Sequence, residues 1–253
     1  GLNVCEARIR LGQFDAAAAM LDELEPIMSV AGMEDSAGAV ANSRGLLAWR
    51  AERHHEAVAN YRRARAKART HAVADEELRA LLGEARSLAA LASADAAGEL
   101  LRGPAMAVRE AAGGRWALQL DDYLGTFLLA SGRPEEALPV LQQVGERARE
   151  KGLINFRLST YANLSSCYLS LHQPDSAIAV HERATRVWEE ERRIPLDPQW
   201  REERGSRGRQ FYVKLAGLKL IGREDDPQAV AEVLDGLQRF KARTRRERME
   251  SPG

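Results

Sequence analysis

Alanine recurs at Ala17, Ala57, Ala97, Ala137 and Ala177, a fixed step of 40 residues. Fixed-period self-similarity constrains a fold more than any local propensity does. Each repeat is one supersecondary unit that buries its apolar face only by stacking on its neighbours. The flanking columns repeat as well. Twelve residues before each alanine stand the small residues Cys5, Gly45, Ala85, Gly125 and Ser165. Four residues after it come Leu21, Tyr61, Leu101, Leu141 and His181, which are mostly large. Columns beginning at Arg8 and Leu11 lie between, so the offsets run in threes and fours, the spacing of one helix face.

Strand signals are nearly absent, because Gly and Pro separate long stretches rich in the strong helix formers Ala, Leu, Glu and Arg. Each period reads as an αα-hairpin, with the small column on the first helix and the alanine on the second. Gly12 and Gly132 fall at the same place in the turn, where a left-handed C-cap is needed. Pro134 and Pro174 stand at the start of second helices, where the missing N–H costs nothing. The expected architecture is all-α, a right-handed αα-hairpin solenoid of about five to six repeats. Five tandem hairpins are expected over 1–190, a charged Pro/Gly loop over 191–205, and a sixth, atypical hairpin over 206–250 that leads into a further domain. Gly103-Pro104 predicts a kink or break in the second helix of the third repeat.

Charge narrows the partners. The 37 Lys and Arg balance 37 Asp and Glu, so no whole-chain field recruits nucleic acid or an anionic membrane. No run of apolar residues is long enough to span a bilayer, and the start GLNVCEARIR has no secretory core, so the expected location is cytoplasmic. That start enters directly into a repeat helix, as an excised piece of a longer chain would. Cys5 and Cys167 occupy helical positions far apart and read as buried thiols rather than a disulfide framework. The chain has no phosphate loop, dinucleotide fingerprint, H-E-x-x-H or paired C-x-x-C, so no catalytic, cofactor or metal residue is assigned and an enzyme is not expected. His54, His55, His172 and His181 read as turn or core residues. The pairs Asp121-Asp122 and Glu135-Glu136 read as helix-start carboxylates facing the macrodipole.

The pattern of small, large, glycine, aromatic and alanine positions resembles the tetratricopeptide repeat family. Gly45, Ala57, Tyr61 and Ala64 carry the resemblance in repeat two, Gly125, Gly132, Ala137 and Leu141 in repeat four, and Tyr161, Leu164, Tyr168, Ala177 and Ala184 in repeat five. The 40-residue period implies longer helices than the family's common 34-residue unit. The resemblance implies a concave groove lined by the first helices, open to a protein or peptide. Its columns place Asn3, Arg10, Asn42, Arg50, Arg86, Asp122, Tyr123, Asn163 and Ser166 there. Asn offers both donor and acceptor and Arg a planar fork, groups that hold an extended backbone or a carboxylate. The basic stretch LQRFKARTRRERM reads as a charged helix rather than a nucleic-acid site, and its F-K-A-R-T segment is similar to the junction before a caspase-like CHAT protease domain. That similarity implies a covalently attached effector downstream. The other reading of the array is the peptide-sensing part of a transcription regulator, or a stand-alone adaptor.

Overall fold

The computed structural model describes residues 1–30, 37–191 and 208–249. Among them every regular element is helical, and most of the helices are joined by three-residue turns. Helices α1 (Leu2–Arg10) and α2 (Phe14–Val30) form the first hairpin, α3 (Ala37–Arg50) and α4 (His54–Thr70) the second. Helix α5 (Ala74–Ala90) pairs with α6 (Ala94–Leu100), which runs on through a π turn (Leu101–Ala105) into α7 (Met106–Val108). Then follow α8 (Gly114–Ala130) and α9 (Pro134–Glu150), α10 (Ile154–Ser170) and α11 (Pro174–Glu191), and finally α12 (Arg209–Leu220) and α13 (Pro227–Met249).

The turns repeat to the residue. Gly12, Glu52, Ala92, Gly132 and His172 all have positive φ, between 56° and 78°. In each, the N–H after that residue returns to a carbonyl five positions earlier, as Gln13 does to Arg8, Arg53 to Ala48 and Gln173 to Tyr168. The left-handed residue itself donates three positions back, as Gly12 does to Ile9. These paired bonds are the Schellman termination, which satisfies carbonyls orphaned at the helix end. Ala72 and Gly152 make the same turn between hairpins. Glycine at 12, 132 and 152 meets the conformational demand at no steric cost, whereas Glu52, Ala72, Ala92 and His172 meet it under strain.

The repeat columns are the core. All five period alanines are at most 1% exposed, and the large column from Leu21 to His181 is at most 3% exposed. The small column is buried throughout, since a larger side chain there would force neighbouring helices apart. The column expected six residues before the alanine is less buried, with Leu11 standing 74% exposed.

At Gly103-Pro104 the helix neither kinks to a stop nor stays α-helical. It widens into the π turn, whose displaced hydrogen bonds absorb the residue that lacks an N–H, and it continues to Val108.

The chain divides into two compact units, Gly1–Phe127 and Leu128–Gly253. In the first, α1, α3 and α5 pack on one another as well as on their hairpin partners, so the first helices form one continuous layer. In the second, α9, α10 and α11 pack in order, α12 packs on α11, and α13 on α12. The expected 191–205 loop lies outside the described residues except for Glu191, as do the side chains of Arg243, Arg245, Arg246 and Arg248.

Candidate functional site

The first-helix layer of the first unit encloses an open cavity of about 860 Å³. Helical spacing decides what lines it, because residues three, four and seven apart share one face. Helix α1 contributes Asn3, Glu6 and Arg10, and α3 contributes Leu46, Trp49 and Arg50. Helix α5 gives Arg79, Leu82, Gly83 and Arg86, and α8 gives Arg115, Trp116, Gln119 and Tyr123. Tyr61 of α4 forms the floor. Its ring is 3% exposed and lies against Gly45 and Gly83, where a side chain would collide with it.

In a chain with no net charge, five arginines and one glutamate line this cavity. Arg86 is the best fixed of them. Its guanidinium lies 3.6 Å from the centroid of the Trp49 ring, and it donates to the hydroxyls of Tyr123 (3.2 Å) and Tyr61 (3.4 Å). Its Nε is buried with no acceptor. Burial pushes the Tyr61 phenol above its ordinary pKa, against the lowering effect of the Arg86 charge and hydrogen bond, so the hydroxyl stays neutral. Arg50 donates to the Arg10 carbonyl at 3.0 Å, tying the ends of α1 and α3. Among the described residues Arg79 is the one lining arginine with carboxylate partners, Glu6 and Glu76, the latter at 3.6 Å. It also lies 5.9 Å from the Trp116 centroid.

Of the groove residues expected from sequence, Asn3, Arg10, Arg50, Arg86 and Tyr123 meet on this one wall. Asn42 does not. It is fully buried and donates to the Glu76 carboxylate (2.5 Å) and carbonyl (3.1 Å), because the helix turns it about 100° away from the exposed face. Asp122 is half-buried outside the lining, and its carbonyl accepts from Thr126 at 2.8 Å. Asn163 and Ser166 belong to α10 in the second unit, where the Ser166 hydroxyl accepts from Lys214 and donates to the Ala162 carbonyl. Sequence reasoning missed Trp49, Arg79, Arg115 and Trp116. Arg79 and Gln119 occupy a column that starts before residue 1 in the first repeat, so the register offered no complete set to compare.

His181 and His172 hold structural places. His181 fills the large column and its Nε2 donates to the Phe211 carbonyl at 2.9 Å, joining α11 to α12. His172 is a left-handed turn residue. Both thiols are buried and reach backbone carbonyls, Cys5 that of Ala17 and Cys167 that of Pro134. Among the described residues no three His, Cys, Asp or Glu side chains gather to hold a metal ion, and no helix is long and apolar enough to cross a membrane.

A stack of helical hairpins on a 40-residue period with a cationic inner wall defines a tetratricopeptide-like repeat array. The tetratricopeptide repeat family model matches residues 116–190, the span of repeats four and five. No curated protein matches the sequence. The fold is similar to the crystal structure of BtubC from P. vanneervenii, with a TM-score of 0.71 over 92% of this chain and 91% of that one, at 17% identity. It is similar to the apo form of RapI at a TM-score of 0.64, covering 99% and 98% of the two chains at 12% identity. NprR in complex with its cognate peptide NprX gives 0.50 over 98% of this chain and 69% of that one, at 15% identity.

Proposed function

We propose that this chain is a non-catalytic peptide- or protein-binding scaffold whose ligand occupies the inner wall of the first unit. The observation that carries the reading is the concentration of five arginines and four aromatic rings around one cavity of about 860 Å³. Arginine forks and aromatic rings are the groups enriched where proteins hold peptide partners. The complex of NprR with a cognate peptide supports the same use of a similar fold. In this reading the array is the sensing part of a larger cytoplasmic, bacterial protein, and a bound ligand alters the small rotations between neighbouring hairpins. A CHAT protease is the effector that the F-K-A-R-T segment suggests, and a transcriptional effector is the alternative.

Peptide display against the full chain tests the reading. Arg50 and Arg115 are exposed at the cavity mouth, so Arg50→Glu with Arg115→Glu leaves the core untouched. Recovered peptides should bind the parent chain and lose affinity for this variant at least ten-fold. Peptides that bind both equally would move the site elsewhere.

A further inference from the structure

The geometry points to an acidic peptide segment as the ligand of the arginine-lined cavity, with Glu6 as a built-in carboxylate that competes with it for Arg79. This rests on the peptide-groove reading above and specifies the chemistry of its ligand. Four lining arginines, Arg10, Arg50, Arg86 and Arg115, have no carboxylate partner among the described residues, while the single lining acid is already engaged. A lone carboxylate would answer one of the four. A run of several Asp or Glu side chains answers them together.

The aromatic residues favour anion recognition over stacking of a planar ligand. Trp49 already has the Arg86 guanidinium on its face, and the Tyr61 and Tyr123 hydroxyls receive the fork's flanking N–H groups. Arg86 is therefore held in place before any ligand arrives, and its buried Nε still lacks an acceptor. Preorganised forks suit planar carboxylates, because little freedom is lost when the bidentate pair forms. Every lining residue except Asn3, Arg115 and Trp116 comes from a helix body rather than a first turn. Most of the lining therefore presents side chains rather than the free backbone N–H groups typical of phosphate cradles.

Glu6 occupies the position a ligand carboxylate would take. It pairs with Arg79 and accepts from the Ser43 hydroxyl at 3.4 Å, with its side chain only 20% exposed. It weakens acidic ligands in two ways: it spends one fork and it contributes a like charge. The array therefore discriminates against weakly charged peptides, since only a multiply charged segment outweighs the internal carboxylate.

The test uses the full chain and a fluorescein-labelled Gly-Gly-Glu-Glu-Glu-Glu-Gly-Gly amide, with the tetra-glutamine and tetra-lysine counterparts and inorganic tripolyphosphate as competitor. The glutamate peptide should bind and the glutamine and lysine peptides should not. Glu6→Gln should tighten binding roughly three- to ten-fold. Arg86→Gln should weaken it roughly ten-fold or more. If Arg86→Gln lowers the melting midpoint, the exposed Arg50→Gln gives the same reading at the cavity mouth. Arg63→Gln, an exposed arginine outside the cavity, should change nothing. Equal binding of the glutamine peptide, sensitive to Arg50→Gln, would keep the peptide groove and overturn its acidic selectivity. Binding of no peptide at all would overturn both readings. A glutamate peptide indifferent to Glu6→Gln removes the competitor, and tripolyphosphate bound more tightly than the peptide makes the site a phosphate site.

Discussion

The Tyr61 ring lies so close over Gly83 that a Cβ added there would collide with it, and a Cβ at Gly45, on the neighbouring first helix, would come within 2.7 Å of the same ring. Two glycines on α3 and α5 thus create the slot for one large residue of α4, and that residue floors the cavity. Glycine inside a helix is ordinarily destabilising by about 0.5–1 kcal/mol relative to alanine. Here the sign inverts. Gly83→Ala should cost about 1–3 kcal/mol through overpacking, read as a lower urea midpoint. In a Tyr61→Leu background the same change should be neutral or stabilising. A destabilisation that persists there would mean the ring is not the obstacle.

Left-handed turns at Glu52 and Ala92 carry the opposite lesson. Non-glycine residues in this region cost roughly 1–2 kcal/mol each. Part of the relief is lost, because glycine adds freedom to the unfolded chain. Glu52→Gly and Ala92→Gly should each raise stability by about 0.5–1 kcal/mol. At Gly12 and Gly132, already relaxed, substitution by alanine should lower it by a similar amount. A pair of chemical denaturation curves per site decides the matter.

These turns also mark how far the sequence is legible. The 40-residue columns announce helix, turn and core, because burial at a helix crossing tolerates only small residues and repeats at every hairpin. Ala17 to Ala177 and Leu21 to His181 could be placed without coordinates. Glu52, Ala92 and His172 could not be seen as left-handed, since their identity gives no sign of it and only the cooperative geometry of the hairpin imposes it. The site was half legible. Arg10, Arg50, Arg86 and Tyr123 lie on a readable stripe, but Asn42 is one helical step off that stripe and serves the interior. Trp116 and Arg115 approach from the start of α8, a part of the repeat that α1 is too short to represent.

Buried charge was also hidden. Glu84 is 2% exposed and accepts from Arg62 Nε at 2.7 Å and Arg65 Nη1 at 3.1 Å, bracing α5 against α4. Its partners are more exposed than it is, so removing the carboxylate leaves them access to water. Glu84→Gln should therefore cost about 1–3 kcal/mol, less than the loss of one member of a fully buried pair. The cost should fall only in part with added salt, because the carboxylate is buried while its arginine partners reach solvent. Complete loss of the cost at high salt would mean that the Glu84 carboxylate itself is solvated.

His181 sets a pH dependence in the second unit. The Phe211 carbonyl can only accept, so Nε2 carries the proton of the neutral ring, and Nδ1 is left buried without a partner. Protonating Nδ1 would place a charge where no acceptor stands. Burial lowers the His181 pKa, and the Lys214 charge adds to that lowering, while the bond to Phe211 opposes it. The unfolded chain takes up its proton near pH 6.5, above the folded chain. Unfolding is then favoured by protons, so the contribution is intact above about pH 6.5 and is lost progressively as pH falls below it. Leucine is the residue found at the equivalent Leu21 and Leu141. His181→Leu removes the titrating group together with its bond, so it should flatten the decline in urea midpoint between about pH 7.5 and 5.5, whatever it does to the midpoint itself. A variant whose decline is as steep as the parent's would assign that pH dependence to other groups.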